Sequence, residues 1–371
     1  MSAEVLDLEL SGFRLPAGNR ELTRRLVGNS EEHDENFVRQ YDFNTLFYDC
    51  FLDTEAGEVL LLGPALLNLK SLINQIDFSI DGRRVPVKEI RNLSRCSVVA
   101  LDAQDGGVLT LKHVLFGGSI PIGRSYVEEF SSLNGIYTIS LNNRLDWISD
   151  WLNYYVKMHG AETVVLSDNG STDYSLSDLR RTLADVPGLR KVAILRARYP
   201  FGPTAANKAG YASLFLQRSL AELGRLRFFA KARAVVNADI DELFHSFDGK
   251  SVFDATVAST CGYLRANAEW AYALEPGPNG YARHCTHSHV SATGKPKANR
   301  KWCVAPNGPQ RGKQWLTHFL DSSKDPVDPN FLIWHFRQVS TGWKFDRSIS
   351  EQNLVLSPEL VEAMRDAFPA R

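Results

Sequence analysis

From residue 131 onward, short apolar runs alternate with segments of helical periodicity. The apolar runs fall at 136–141, 163–167, 192–195 and 234–238. Between them, apolar residues recur three and four positions apart, which predicts helices that begin near residues 145, 175 and 205. Strands that alternate with helices are joined by right-handed crossovers. The pattern therefore predicts an α/β fold with a mostly parallel, doubly wound sheet.

Two of these helices carry recognisable end residues. Asp146 lies in the first turn of the first helix, and Gly160 follows its last turn. Acidic residues favour the positive end of the helix dipole, and glycine favours the left-handed conformation that ends a helix. Ser175 and Asp178 have the spacing of a helix start and are predicted to begin the second helix.

The first part of the chain alternates apolar and polar positions with the period of a strand. Apolar residues alternate on both sides of Asp81-Gly82, and 98–101 is predicted to pair with 108–111. Alternation around Asp-Gly is a hairpin signal. We therefore predict two domains, a polar lead-in with a β-rich domain over residues 1–130 and an α/β domain over residues 131–371.

The composition is that of an ordinary globular protein. Of the 371 residues, 44% are hydrophobic and 23% charged, which allows a large core. The formal net charge is −1, and this balance argues against a nucleic-acid-binding protein, which usually carries a basic excess.

Nothing in the sequence predicts secretion or a membrane span. The N-terminus lacks the basic and apolar segments of a secretory signal, and no apolar run approaches the roughly 18 residues that a span needs. The five cysteines are scattered, without a Cys-x-x-Cys pair, as expected for reduced thiols. We expect a cytoplasmic protein without a transmembrane segment, either free in the cytoplasm or peripheral to the membrane.

Polar residues follow three of the predicted parallel strands. Asn142, Asp168 and Asp239 each stand at such a strand end. In open α/β sheets, ligands bind beyond the carboxyl ends of the strands. These positions therefore predict one binding edge.

Asp239-Ile240-Asp241 is the strongest chemical signal in the chain. Two carboxylates one residue apart, after a buried strand, are suited to a hard divalent cation such as Mg²⁺ or Mn²⁺. A solvated acidic turn is the alternative, because Asp-x-Asp by itself is common.

Several motifs together resemble GT-A glycosyltransferases, with a closing segment similar to family-2-like and family-92-like members. They are Asn142-Asn143-Arg144, Asp168 to Asp173, Asn207 to Gly210, Asp239 to Leu243, Lys301 before Trp302, and Trp334-His335-Phe336-Arg337 followed by Lys344 and Arg347. The resemblance implies a GT-A (Rossmann-like) fold and a nucleotide-sugar donor bound with Mn²⁺ or Mg²⁺.

The resemblance also implies residue roles. Asp241 would be the principal metal ligand, with Asp239 assisting and His335 completing the shell. If His335 has this role, its imidazole should lie within several ångströms of the Asp241 carboxylate, on the same open cleft; a core histidine packed between aromatic residues is the alternative. The donor would be bound by a set of polar and basic residues: Asn142, Arg144, Asp168, Asn169, Lys301, Lys344 and Arg347.

Alternatives remain open for the basic residues and the catalytic base. The alternative for Lys344 and Arg347 is that they lie on a solvated helix face. Lys301 lies in a basic segment, 283–313, whose composition is typical of a mobile loop that closes over the donor or of a loop that is simply solvated. An inverting transfer needs a carboxylate near the acceptor hydroxyl. Glu269 and Glu242 are the candidates, and a helix start is the alternative for Glu242.

A cluster of imidazoles suggests a competing metal site. His284, Cys285, His287 and His289 are close in sequence, but no second ligand pair stands at a spacing typical of structural zinc. The sequence therefore disfavours a zinc site here.

The leading functional hypothesis is transfer of a sugar from a nucleotide-diphosphate donor to a glycan or lipid-linked acceptor, as in bacterial surface polysaccharide synthesis. One alternative is nucleotidyl transfer to a sugar phosphate, but the glycine-rich phosphate loop expected there is absent from the sequence. Another is a non-catalytic glycan-binding protein, which would not need Asp168, Asp239 and Asp241 together.

Overall fold

The computed structural model describes residues 2–28, 33–203, 214–275, 277, 280–294, 297–323, 326–341 and 353–368. The chain divides into two compact units. The first comprises Met1–Leu8, Phe130–Leu195 and Phe229–Arg371, and the second comprises Glu9–Glu129 and Arg196–Phe228.

Strands and helices occur in both units. The strands are β1 (Glu4–Glu9), β2 (Phe13–Arg14), β3 (Thr45–Phe47), β4 (Asp49–Asp53), β5 (Glu58–Pro64), β6 (Asp77–Ile80), β7 (Arg83–Arg84), β8 (Val87–Asn92), β9 (Cys96–Leu101), β10 (Val108–His113), β11 (Phe116–Pro121), β12 (Gly123–Arg124), β13 (Asn134–Ser140), β14 (Thr163–Asp168), β15 (Lys191–Arg196), β16 (Ala234–Asn237), β17 (Glu242–Ser246), β18 (Tyr263–Tyr272), β19 (His289–Ser291), β20 (Lys301–Val304), β21 (Val327–Phe336) and β22 (Leu354–Leu356). The α-helices are α1 (Glu35–Gln40), α2 (Lys70–Ile73), α3 (Leu145–His159), α4 (Leu176–Ala184), α5 (Phe215–Gly224), α6 (Val252–Ala258) and α7 (Pro358–Ala367). A π-helical segment covers Arg225–Phe229, and 3₁₀ turns cover Arg20–Leu22, Leu67–Leu69 and His284–Thr286.

The first unit is built on a large mixed sheet with the strand order β1-β15-β14-β13-β16-β20-β18-β19-β22. Strand β13 runs parallel to both of its neighbours, β14 and β16. Strand β20 is antiparallel to β16 and β18, while β21 joins the sheet beside β18 and pairs with β17. The predicted strands β13 to β16 are confirmed, and antiparallel strands extend the sheet beyond β16.

Helix α3 packs its apolar face against this unit's core, as its periodicity predicts. Ile148, Trp151 and Tyr155 recur at helical spacing and are buried. Gly160 ends the helix with a φ of 71°, a left-handed conformation that glycine adopts without steric cost. The predicted second helix is also confirmed, because Ser175 and Asp178 form a reciprocal capping box at the start of α4.

The second unit is rich in strands. It contains a five-stranded sheet (β12-β4-β5-β9-β8), a four-stranded sheet (β11-β10-β6-β7) and the pair β2-β3. It also takes in residues 196–228, which the sequence places in the α/β domain. Helix α5 packs on β5 and β9, and Arg227 donates a 2.5 Å hydrogen bond to Asp49. Part of the predicted helix near residue 205 lies outside the described residues.

One predicted hairpin of this unit is confirmed and one is wrong. Asp81 and Gly82 form the turn between β6 and β7, both with positive φ. Strand β9, however, pairs with β5 and β8, whereas β10 pairs with β6 and β11. All six residues of β9 are buried, as suits a strand covered on both faces, whereas burial alternates along β10. Strand pairing depends on these distant neighbours and not only on the turn between β9 and β10.

The expectation of a loop over 283–313 is corrected in its centre. Lys301–Val304 forms β20, which lies between β16 and β18, and all four of its residues are buried. The apolar run Trp302-Cys303-Val304 is long enough to fill a short interior strand. Among the described residues, no helix is both long enough and apolar enough to span a bilayer.

Candidate active site

The Asp239–Asp241 turn connects two strands at the edge of the parallel part of the sheet. Strand β16 ends at Asn237 and β17 begins at Glu242. The Glu242 amide donates to the Asp239 carbonyl at 3.0 Å, and the Asp239 amide donates to Glu242 Oε2 at 2.8 Å. The turn is therefore closed by Glu242 at both its main chain and its side chain.

His335 reaches this turn through strand pairing. Strand β21 is antiparallel to β17 and sets His335 opposite Glu242. Its Nε2 atom lies 3.1 Å from Asp241 Oδ2. The predicted proximity of His335 and Asp241 is confirmed, but both residues are buried and do not line an open cleft. Burial lowers the pKa of His335, although the carboxylates of Glu242 and Asp239 oppose the shift. The imidazole is therefore held in the neutral form that a metal requires.

Glu242 completes a set of three buried donor groups. Its Oε1 lies 3.8 Å from His335 Nδ1. One donor atom from each of Asp241, Glu242 and His335 lies within 4.8 Å of the other two. Two carboxylates and one imidazole form a donor set suited to Mn²⁺. The alternative that Glu242 starts a helix is wrong, because Glu242 is the first residue of strand β17. Its carboxylate belongs to this cluster.

Lys301 lies on the other side of Glu242. Its side chain is 1% exposed, and Nζ lies 2.9 Å from Asp239 Oδ2 and 3.1 Å from Glu242 Oε2. Burial tends to lower the pKa of Lys301, but the carboxylates of Asp239 and Glu242 outweigh it and the pKa is raised. The ammonium therefore compensates the buried Glu242 carboxylate and the partly exposed Asp239 carboxylate, whereas the sequence predicted that it would bind the donor.

Trp270, in β18, and Arg337, which follows β21, extend the cluster. The parallel register places Trp270 beside His335, and their rings stack with centroids 3.9 Å apart. The Arg337 guanidinium carbon lies 5.0 Å from the centre of the Trp270 ring. Sequence reasoning assigned no role to either residue. The sequence signal is that both residues adjoin predicted site residues, Trp270 next to Glu269 and Arg337 two positions after His335.

Glu269 is not brought to the cluster. Successive residues of a strand point to opposite faces, so Glu269 lies on the face opposite Trp270. Half-burial, together with the nearby Glu359 carboxylate, raises the pKa of Glu269. Its environment is therefore separate from that of Asp241 and His335.

A second group of predicted residues lies where β13 and β14 end. The Asp168 carboxylate accepts from the Gly170 amide at 3.2 Å and from the Ser171 hydroxyl at 2.5 Å. Asn142, with a φ of 55°, accepts from the Thr172 amide at 2.6 Å. These bonds close the turn after β14 and fix it to the loop after β13.

The remaining predicted donor-binding residues have separate contacts. Arg144 is half exposed at the start of α3 and lies over the Tyr281 ring, with its guanidinium carbon 3.5 Å from the ring centre. The Asn169 amide donates to the Ser140 carbonyl at 2.8 Å. Lys344 and Arg347 lie outside the described residues.

The imidazoles considered for zinc have unrelated partners. His284 Nε2 lies 2.9 Å from the Ile240 carbonyl oxygen, and His287 Nδ1 lies 2.8 Å from the Arg283 carbonyl oxygen. His289 Nδ1 lies 2.8 Å from the Ser288 hydroxyl. Each ring is thus engaged with a different protein group.

Comparisons with known proteins gave structural neighbours only. No protein-family model and no curated protein matches the chain. The apo structure of the bifunctional glycosyltransferase WbbM overlaps with a TM-score of 0.29 and 12% identity, covering 43% of this chain and 26% of that one. An active-site mutant of LgtC overlaps with a TM-score of 0.28 and 13% identity, covering 48% of this chain and 60% of that one. The galactosyltransferase LgtC in complex with donor and acceptor sugar analogues overlaps with a TM-score of 0.27 and 13% identity, covering 48% of this chain and 59% of that one. The chain thus spans about a quarter to three fifths of these structures, and overlaps of this extent do not identify its family.

Proposed function

We propose that the chain is a glycosyltransferase that moves a sugar from a nucleotide-diphosphate donor to a glycan or lipid-linked acceptor. The observation that supports this most strongly is the buried cluster of Asp241, Glu242 and His335, whose donor atoms lie within 4.8 Å of one another. The cluster follows β16, on the same edge of the sheet where β13 and β14 end. Ligands bind at such an edge in α/β proteins.

The donor set fits a divalent cation in both chemistry and charge. Asp241, Glu242 and His335 would hold Mn²⁺ or Mg²⁺, and Asp239 would remain paired with Lys301. The carboxylates of Asp239, Asp241 and Glu242 outnumber the cations of Lys301 and Arg337, so a cation bound here would be attracted by the remaining negative charge. When bound, the ion would neutralise charge on the departing diphosphate.

The turn after β14 would bind the nucleoside. Asp168 and Asn142 fix its shape, while Arg144 and Asn169 lie in the same two loops. Trp270, stacked on His335, offers an aromatic surface beside the cluster. Together these features support a donor that lies across the ends of β13, β14 and β16.

Donor turnover tests the proposal. The purified chain is incubated with a panel of nucleotide-sugars and Mn²⁺, with and without a chelator, and the nucleotide product is identified. We expect slow release of a nucleoside diphosphate from at least one donor, abolished by chelation. Release of pyrophosphate from a nucleoside triphosphate and a sugar phosphate would indicate nucleotidyl transfer instead. No turnover and no nucleotide binding would contradict both.

A further inference from the structure

The three carbonyl groups of the Asp239–Asp241 turn each accept a hydrogen bond, but from different kinds of donor. The Asp239 carbonyl accepts from the Glu242 amide at 3.0 Å, and the Asp241 carbonyl accepts from the Phe336 amide at 2.8 Å. The Ile240 carbonyl lies 2.9 Å from Nε2 of His284. Because a carbonyl can only accept, Nε2 of His284 carries the proton and donates it. This side-chain donor is the one that a substitution can remove.

We infer that His284 is a positioning residue that fixes the Ile240 carbonyl, and with it the turn from Asp239 to Asp241. The inference rests on the proposed function, since it concerns the geometry of the proposed metal ligands. His284 is fully buried, and Ile240 is 2% exposed. A buried carbonyl without a donor is destabilising, so loss of this bond would drive the Ile240 peptide to another orientation. Asp241, the next residue, would turn with it.

Asp150 and Arg283 form an ion pair beside the Nδ1 edge of the ring. Asp150 Oδ2 lies 3.8 Å from His284 Nδ1 and accepts from Arg283 Nε at 2.8 Å, while Oδ1 accepts from a terminal nitrogen of Arg283. Burial would raise the pKa of Asp150, but His284 and Arg283 outweigh it and the pKa is lowered. Asp150 is therefore a carboxylate whose position is fixed by a two-point ion pair.

The contact reaches the turn from the face of β21 opposite to His335. The His284 ring packs on Phe336 with centroids 4.8 Å apart, and Phe336 follows His335 in the strand. Adjacent strand residues point to opposite faces. His284 therefore supports the turn without joining the ligand set, as outer hydrogen-bond partners commonly do at metal sites.

The affinity for Mn²⁺, measured by titration with detection of the free ion, tests this inference alongside thermal unfolding. His284→Leu removes the donor at similar volume, and His284→Gln keeps an amide donor near the position of Nε2. His287→Leu is the matched control, because the His287 ring packs on the same Phe336, with centroids 4.9 Å apart, and donates to no carbonyl of the turn. We expect His284→Leu to weaken Mn²⁺ binding by about 10- to 100-fold, His284→Gln to recover most of it, and His287→Leu to lose stability while keeping wild-type affinity.

The outcomes separate the inference from the proposed function. Equal Mn²⁺ affinity in wild type and His284→Leu, or equal weakening in His287→Leu, would overturn the inference alone. If His284→Leu does not fold, His284→Asn decides, because its shorter side chain keeps an amide but does not reach the Ile240 carbonyl; weaker binding than in His284→Gln supports the inference, and equal binding overturns it. A wild-type chain that binds no Mn²⁺ would overturn the proposed metal site and, with it, the inference.

Discussion

Nε2 of His335 lies 3.1 Å from Oδ2 of Asp241, although 94 residues separate the two in the chain. The contact follows from strand register, because β21 pairs with β17 and sets His335 opposite Glu242. The Phe336 amide also donates to the Asp241 carbonyl at 2.8 Å, so the main chain holds the two segments together. A slip of one residue would turn His335 to the other face and remove it from the cluster.

Lys301→Met should strongly destabilise the fold. The ammonium lies within 3.1 Å of both Asp239 and Glu242 and is 1% exposed, so its removal leaves the buried Glu242 carboxylate without compensation. Breaking a buried pair in this way costs about 3–5 kcal/mol. Urea denaturation in a chelator measures the free energy of unfolding without a contribution from metal.

Two further variants make this prediction specific. Glu242→Gln removes one of the two carboxylates, so the double variant Lys301→Met/Glu242→Gln should lose less stability than the two single losses added together. Lys88→Met is the matched control, because the Lys88 ammonium is exposed to solvent in its pair with Glu58 and should contribute little to stability. A Lys301→Met loss no larger than that of Lys88→Met would show that Lys301 does not compensate the cluster.

Asp168→Ala should weaken donor binding. The carboxylate holds the turn after β14 through the Gly170 amide and the Ser171 hydroxyl, so the substitution opens the proposed nucleoside site. We expect the affinity for a nucleoside diphosphate in the presence of Mn²⁺ to fall by about tenfold or more, as measured by calorimetry. Asp173→Ala changes an exposed carboxylate of the same turn and should bind normally. Unchanged affinity in Asp168→Ala would contradict the assignment of the nucleoside site to this turn.

Stability should fall on mild acidification because buried imidazoles are held neutral. Burial lowers the pKa of His159 from 6.5 to about 4. Its Nδ1 accepts from the Val252 amide at 3.2 Å, and Nε2 donates to the Phe244 carbonyl at 2.6 Å. Between pH 6.5 and 4 the unfolded chain binds a proton that the folded chain does not, so stability decreases as the pH falls.

The lowered pKa of His159 corresponds to a decrease of up to about 3 kcal/mol in the free energy of unfolding when the pH reaches about 4. Chemical denaturation at a series of pH values measures the slope. Burial also lowers the pKa of His287, to about 3, so a single substitution should remove only part of the slope. His159→Gln is expected to lower stability at neutral pH and to flatten the dependence. A slope identical in wild type and His159→Gln would contradict this assignment.

The elements that could be predicted from the amino-acid sequence are those specified by local signals. Gly160 ends α3 and Ser175 starts α4 because conformational freedom and side-chain capping act within a few residues. Strands β13 to β16 were visible as apolar runs, and the polar residues after them indicated the edge on which Asp168 and Asp241 lie. The proximity of His335 to Asp241 was predicted from the resemblance, not from spacing.

The features that could not be predicted from the amino-acid sequence depend on contacts with residues far away in the chain. Lys301 stands in a basic, glycine-containing segment, and only its pairing between β16 and β18 shows that it is buried against Asp239. His284 sits among other imidazoles, and nothing in that spacing indicates a bond to Ile240, 44 residues earlier. Likewise, β9 is separated from β10 by its pairing with β5. Long-range contacts of this kind leave no periodic signal.

Titration with Mn²⁺, followed by electron paramagnetic resonance of the free ion, is the sharpest test of the proposed cation site. The cluster of Asp241, Glu242 and His335 should bind a single equivalent per chain in the wild type. Asp241→Ala and His335→Ala should leave the free-ion signal as in buffer, because each removes one of three buried donors. Asp254→Asn, a change to an exposed carboxylate, should bind like the wild type. A wild-type chain that leaves the signal unchanged, or variants that bind as tightly as the wild type, would contradict the assignment of this cluster as a metal site.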